Sequence, residues 1–171
     1  SFDAIGGIYN LPSKSNYFSS VYHEIQRKWV LKGIQVKGKG LPTTKHILGG
    51  AFAIKKSTFI EVGGFSETIG WGAEETDLLE KLAKMKKKVG ISYSLKVKHQ
   101  KNLCFFGFLK RAWKQNFNLK YFVQPSKSMS LVKVNYLKSR ISYLPGLALF
   151  FTVGKLAQTI ASVARVIRKP R

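Results

Sequence analysis

Residues 70–78 read Gly-Trp-Gly-Ala-Glu-Glu-Thr-Asp-Leu, and this stretch decides how the rest of the chain is interpreted. Glu74, Glu75 and Asp77 follow a Gly-Trp-Gly turn, at the predicted start of a helix. Six of the 8 acidic residues lie between positions 61 and 80, and none follows Glu80. This concentration favours a site that holds a sugar or a metal ion. The plainer interpretation is first-turn charges that stabilise the helix by about 0.3–1 kcal/mol each.

The length and composition indicate a folded domain. A chain of 171 residues can bury a core, and 44% hydrophobic with 13% aromatic residues excludes a disordered chain. Cys104 is the single cysteine, which excludes an intrachain disulfide and fits a reducing compartment. The sequence also lacks Cys/His spacing of the kind that binds zinc.

The net charge of +22 is unevenly distributed. After residue 80 the chain has 21 basic residues and no acidic one. Such a field attracts anionic partners, either nucleic acid or the anionic inner face of a membrane. A merely basic, soluble surface is the plainer alternative.

Residues 4 to 97 alternate between strand and helix patterns, which is typical of an α/β fold. The double glycine Gly49-Gly50 marks a position where a backbone or a ligand approaches closely. Ser13 or Ser15 is the predicted cap of the first helix. The predicted elements are a strand at 4–9, a helix at 15–30, a loop at 33–45, a strand at 47–54, a short helix at 56–62, a helix at 76–88 and a strand at 89–97.

The character of the chain changes from residue 103. Apolar residues at helical spacing among lysines and arginines predict a helix at 105–117, and a Pro/Ser-rich linker follows at 125–130. Beyond Pro145 a further helix is predicted, and a membrane span would need about 20 mostly apolar residues. Lys155 and Gln158 interrupt that length. An amphipathic helix in the membrane interface is favoured, and the alternatives are a spanning or re-entrant helix and a helix packed on protein.

The order of these elements resembles the second half of inverting, family 2-like glycosyltransferases with the GT-A fold. Residues 70–78 are similar to the motif GWGxEDxDL, which galactosyltransferase C-terminal domains share with many bacterial family 2 enzymes. The resemblance covers about residues 3–125 and is most specific at 48–99. It implies an α/β fold, the second half of a Rossmann-like GT-A catalytic domain at 1–102. The residue pattern at 103–171 predicts the region that follows it, of basic, amphipathic, membrane-associating helices.

The resemblance implies a role for each motif residue. Glu75 falls where the family keeps its catalytic base, and Glu74 and Asp77 fall on acidic positions that contact the acceptor. Trp71, with Gly72 beside it, matches a tryptophan on which an acceptor sugar stacks. A carboxylate is chemically suited to take the proton of a weakly nucleophilic hydroxyl.

The resemblance also implies a donor side and a cofactor. Gly49 and Gly50 fall in the segment beside the donor sugar, and His99 falls where many members bind a divalent cation, Mn²⁺ or Mg²⁺. Such a cation stabilises the departing diphosphate. The plainer interpretations are a loop anchor for Trp71 and an ordinary surface histidine for His99, and His23 and His46 are predicted to be structural.

Two features depart from the family pattern. Glu75 stands where Asp is usual, which moves the carboxylate by one methylene, and a misplacement of about 1 Å can cost roughly 100-fold in rate. The family's Asp-x-Asp motif is not in the sequence, whose two aspartates are Asp3 and Asp77. The nucleotide-binding half that carries this motif is expected upstream of residue 1.

The resemblance therefore implies an inverting transferase of polysaccharide biosynthesis. It would move a sugar from a nucleotide-diphosphate-sugar donor to a glycan or lipid-linked acceptor. We expect it at the cytoplasmic face of the cell membrane, peripheral or anchored through its C-terminal region to an anionic surface. The alternatives are a catalytically incomplete remnant or sugar-binding partner, and a nucleic-acid-binding module, which no recognition motif supports.

Overall fold

A computed structural model describes six ranges of the chain, and these form a mixed α/β structure. The predicted linker at 125–130 lies outside them, as do the predicted site residues Trp71, Gly72 and His99. The described residues are 1–10, 15–35, 41–69, 73–98, 102–118 and 141–168.

Five strands form one mixed sheet in the order β2-β3-β5-β1-β4. The strands are β1 Ala4–Asn10, β2 Ile34–Gln35, β3 Thr43–Thr44, β4 Phe52–Ile54 and β5 Val89–Lys98. β1 runs parallel to β5 and antiparallel to β4, so that Ala4 lies opposite both Val89 and Ile54. The register of β1 against β5 shifts between Gly6 and Ile8. A Cβ at Gly7 would lie 2.5 Å from the Leu95 carbonyl oxygen, so the close approach at this shift requires a glycine.

Five α-helices accompany the sheet: α1 Tyr17–Gly33, α2 Lys56–Glu61, α3 Glu74–Lys84, α4 Phe105–Asn118 and α5 Leu144–Arg168. The predicted cap of α1 at Ser13 or Ser15 was wrong. Asn16 caps the helix instead, and its side-chain oxygen accepts a hydrogen bond from the Ser19 N–H at 2.9 Å. Asparagine and serine cap helices about equally well, so the spacing did not discriminate between neighbouring polar residues.

Two predicted boundaries moved for local backbone reasons. The predicted strand 47–54 is reduced to Phe52–Ile54, because residues 48–51 form a turn in which the Ala51 N–H donates to the Leu48 carbonyl at 2.8 Å. Helix α3 ends at Lys84, because Lys86 adopts a φ of 55° and the Lys87 N–H donates back to the Leu82 carbonyl. The residue that ends a helix in this left-handed conformation is usually glycine, so the lysine at position 86 did not indicate the end of α3.

The core consists of three apolar clusters that connect the sheet to the helices. One packs α3 against the sheet around Leu78 and Leu82, and a second joins β1, β5 and α1. The third packs α1 against α4 and α5 around Phe108 and Phe150, whose ring centroids lie 5.4 Å apart. α1 therefore contributes residues to both the second and the third cluster. The division of the chain at residues 102 and 103 stays a prediction.

Candidate functional site

The predicted carboxylates occupy the first turn of α3, as the sequence placed them. Glu74 turns back onto its own helix, where its Oε2 atom accepts a hydrogen bond from the Ala73 N–H at 2.8 Å. A carboxylate in this position satisfies a backbone donor that the helix itself leaves unpaired, and it complements the positive end of the helix dipole. Glu74 therefore has a capping contact in addition to its predicted acceptor role.

Glu75 lies directly against the turn that contains Gly49 and Gly50. A Cβ built on Gly49 would meet the Glu75 carboxylate oxygen, and it would lie 2.5 Å from Cδ and 2.8 Å from Cγ of that side chain. A residue larger than glycine would therefore displace the carboxylate. The structure thus brings together the predicted base and the predicted donor-side glycines, which are 26 and 25 residues before it in the sequence.

Tyr9, at the end of β1, completes this arrangement. Its hydroxyl oxygen accepts a hydrogen bond from the Gly50 N–H at 2.8 Å, and the residue is 6% exposed. Burial raises the pKa of the Tyr9 hydroxyl, the hydrogen bond from Gly50 partly opposes this, and the negative charge of Glu75 raises it further. Tyr9 is therefore a neutral phenol at physiological pH, and its hydroxyl both fixes the glycine turn and lies within the field of the Glu75 carboxylate.

Tyr22 and Arg111 extend the polar cluster into the helices. The Tyr22 hydroxyl donates to Oε1 of Gln115 at 3.2 Å, and the Arg111 guanidinium lies 5.2 Å from the centroid of the Tyr22 ring. Burial raises the pKa of Tyr22, and the positive charge of Arg111 opposes that shift. The charge of Glu75 also reaches Tyr22. The cluster therefore connects α3, β1, α1 and α4.

No motif in the sequence indicates a functional role for Tyr9, Tyr22 or Arg111. Tyr9 ended a predicted strand and Tyr22 lay on the apolar face of a predicted helix, so both were assigned to the core. A usable signal was present, since a buried phenol needs a hydrogen-bond partner for its hydroxyl. Arg111 was counted only among the basic residues of the C-terminal region.

Asp77 points to a different group of residues. Its Oδ2 atom accepts a hydrogen bond from the Ser66 hydroxyl at 2.6 Å and forms an ion pair with Lys81 at 3.0 Å. Lys81 also donates to the Gly64 carbonyl oxygen at 2.9 Å. These contacts fasten the segment that follows α2 to the first two turns of α3. The predicted acceptor contact of Asp77 stays a prediction beside this structural role.

The described residues offer no metal site of their own. Among them, no three His, Cys, Asp or Glu side chains lie together in a way that could hold an ion. The predicted ligand His99 lies outside the described ranges. The other two histidines have contacts within the fold: His23 Nε2 lies 2.9 Å from the Tyr9 carbonyl oxygen, and the His46 ring packs on Trp29 at a tilt of 35° with 4.2 Å between ring centroids.

One comparison with known proteins bears on this site. Residues 23–101 match a protein-family model described as the N-terminal domain of galactosyltransferase. Neither the search of curated proteins nor that of solved structures gave a match. The matched segment includes the Gly49-Gly50 turn and Glu75, whereas Tyr9 and Arg111 lie outside it. The match supports a glycosyltransferase-like domain at residues 23–101.

Proposed function

We propose that this protein transfers a sugar from a nucleotide-diphosphate-sugar donor to a glycan or lipid-linked acceptor, with inversion and with Glu75 as general base. The observation that carries the proposal is the contact between Glu75 and the Gly49-Gly50 turn. Within the matched domain, this contact places Glu75, which is suited to proton transfer, beside the Gly49-Gly50 backbone, which can approach a ligand closely. Family 2 membership and the GT-A fold belong to the same proposal.

The proposed reaction is a single displacement. The acceptor hydroxyl oxygen attacks the anomeric carbon of the donor sugar, the bond from that carbon to the diphosphate oxygen breaks, and the hydroxyl proton passes to the Glu75 carboxylate. Attack from the face opposite the leaving group inverts the anomeric configuration. A positioned carboxylate typically contributes about 10²–10⁴-fold to such a step.

The surroundings of Glu75 suit this task. The residue is half-buried in the first turn of α3, where the positive end of the helix dipole favours a negatively charged side chain. Gly49 leaves room for the carboxylate, and Tyr9 fixes the neighbouring Gly50 through its hydrogen bond. The carboxylate therefore has a defined position relative to the turn. A base needs such a position to remain within hydrogen-bond reach of the acceptor.

The remaining roles in the proposal come from the resemblance. Trp71 and Gly72 would hold the acceptor sugar together with Glu74 and Asp77, and Gly49 and Gly50 would border the donor. A divalent cation, Mn²⁺ or Mg²⁺, would neutralise charge on the departing diphosphate, and its predicted ligand is His99. We further propose polysaccharide biosynthesis at the cytoplasmic face of the cell membrane as the setting of the reaction.

The test compares Glu75→Gln with Glu67→Gln, using protein at its native length from its source cells. Glu67 is exposed in the loop before α3 and provides a chemically identical control. The assay follows transfer of labelled sugar from a panel of nucleotide-diphosphate sugars, beginning with galactose, to the glycans and lipids of those cells. We expect Glu75→Gln to reduce transfer by at least about 100-fold and Glu67→Gln to leave it within about twofold.

Two outcomes would contradict the proposal. Equal transfer by both variants would remove Glu75 from the role of base. A wild-type protein that binds acceptor glycans but transfers no sugar from any donor would support the sugar-binding partner instead.

A further inference from the structure

Helix α5 presents an apolar face that no described part of the protein covers. We call it the outer face, and it includes apolar side chains that are 42% to 79% exposed: Leu156, Ile160, Val163, Val166 and Ile167. The helix and the turn before it, Ile141–Ile167, are long and apolar enough to cross a membrane, and an 18-residue window within them has a mean hydropathy of 1.5. A contiguous apolar surface of this kind marks an interaction site.

The hydroxyl groups on this side of the helix are already satisfied by the helix itself. Thr152 donates to the Ala148 carbonyl oxygen at 2.9 Å, and Thr159 donates to the Lys155 carbonyl oxygen at 3.1 Å. These threonines therefore enter an apolar medium without leaving their hydroxyl protons unpaired. Lys155 is the one charged residue between positions 144 and 164, and its long side chain can reach a polar surface while its methylenes stay in an apolar one.

The opposite side of α5 is held against the protein. Leu147 and Phe150 are buried in the cluster with α1 and α4. A Cβ on Gly154 would lie 2.7 Å from Nδ2 of Asn116, and Gln158 donates to Oδ1 of that asparagine at 2.9 Å. A helix attached along one side in this way cannot be surrounded by lipid. It can therefore lie along a membrane surface but cannot cross the membrane alone.

The charge of the protein identifies the chemistry of the partner. The net charge is +22 with no acidic residue after Glu80, and Arg165 and Arg168 lie at the end of α5. A protein interface typically needs about one hydrogen bond per 100–200 Å², which an outer face of alkyl groups and self-satisfied hydroxyls does not supply. Lipid chains need no such bonds, and anionic headgroups complement the lysines and arginines.

We propose that the outer face of α5 inserts into the interfacial region of an anionic bilayer, with the helix axis parallel to the membrane plane. At about 1.5 Å per residue the 25-residue helix extends about 37 Å along the surface. The insertion depends on α5 and on the basic charge. It is therefore independent of the transferase proposal and holds even if Glu75 has no catalytic role.

The first experiment is sedimentation of the full chain with vesicles of phosphatidylcholine, with and without about 30 mol% phosphatidylserine. The test variant is Leu156→Gln with Ile160→Gln, and the control is Ile60→Gln, which changes a 65% exposed isoleucine on α2. We expect wild-type and control to bind the anionic vesicles and to retain part of that binding at about 1 M salt, where screening is strong. The double variant should bind at least about 10-fold more weakly, with an unchanged urea-unfolding midpoint because both positions are exposed.

Several outcomes would overturn the proposal. Unchanged binding by the double variant, with complete release at high salt, would indicate attraction by charge alone. Failure of the wild-type chain to bind any vesicle, together with a dimer that the double variant abolishes, would assign the outer face to a second copy of the chain.

A second measurement tests the orientation of the helix. Tryptophans introduced singly by Leu156→Trp and Ile167→Trp are compared with wild-type protein for fluorescence quenching by lipids brominated at different depths. A helix parallel to the surface places both tryptophans at the same shallow depth, about 5–10 Å into the headgroup boundary. A spanning helix would separate them by up to about 16 Å in depth, and that result would refute the parallel orientation.

Discussion

Gly49→Ala is the substitution for which the structure gives the sharpest prediction. The new Cβ would lie 2.5 Å from Cδ of Glu75, whereas ordinary van der Waals contacts begin at 3.4 Å. The carboxylate oxygen lies closer still, so the carboxylate must retreat by at least about 1 Å. A displacement of that size at a reacting group can cost roughly 100-fold in rate. We expect the rate of sugar transfer to fall by about that factor, even though the substitution adds one methyl group and removes no functional group.

The stability of the variant separates this effect from misfolding. Glu75 is a flexible side chain that can move aside, so we expect the free energy of unfolding, measured in urea, to change by less than about 1 kcal/mol. Gly107→Ala is the matched control, because a Cβ there meets only the Cys104 sulfur at 3.4 Å and the Leu103 side chain at 3.9 Å. An alanine inside α4 should stabilise the protein by about 0.5–1 kcal/mol and leave transfer unchanged. Full transfer activity in Gly49→Ala would refute the assignment of Glu75 as a positioned base.

Two further predictions concern buried polar side chains. Tyr9→Phe removes the acceptor of the Gly50 N–H, so the free energy of unfolding in urea should fall by about 1–3 kcal/mol. The control Tyr93→Phe, at a 46% exposed position, should leave the free energy of unfolding unchanged. Equal values for the two variants would contradict the role of the Tyr9 hydroxyl. Burial lowers the pKa of His46 from 6.5 to about 4. As the pH falls, the His46 imidazole therefore takes up a proton in the unfolded chain before it does so in the folded protein. The stability that the neutral His46 provides is complete above pH 6.5 and is lost by pH 4. The loss is about 3 kcal/mol, measurable as urea-unfolding free energies across that range, and a His46→Gln variant with the same pH dependence as wild-type protein would contradict it.

The sequence predicted the order of the longer strands and the helices, because apolar periodicity and glycine punctuation are local signals. The two-residue strands β2 and β3 lie inside the predicted loop 33–45, so that prediction was wrong for them. The strand at the start, α2 with its Gly63-Gly64 ending, and β5 all lie where these patterns place them. The boundaries that failed depend on single backbone conformations. Lys86 at positive φ is one example, since the residue type gives no warning of the left-handed conformation.

The candidate site was predicted in part for a similar reason. The sequence indicated Glu75 and Gly49 separately, through the acidic motif and the double glycine, and the structure places them in contact. Tyr9 and Arg111 join the same cluster only in the folded chain, where the charges of Glu75 and Arg111 both act on the Tyr9 hydroxyl and Arg111 lies over the Tyr22 ring. Their proximity is a property of the topology, and no spacing within the sequence encodes it.

The position of β1 in the sheet has a consequence for how the chain folds during synthesis. Ala4 pairs with Val89 through a parallel ladder, so one neighbour of the first strand is among the last parts of the sheet to be made. At about 5–20 residues per second, β1 waits on the order of ten seconds for β5. During that interval its open edge can pair with other nascent chains, and sheet assembly through such distant partners is intrinsically slow. Expression at lower temperature or with chaperones that hold the nascent chain should therefore increase the soluble yield of this protein.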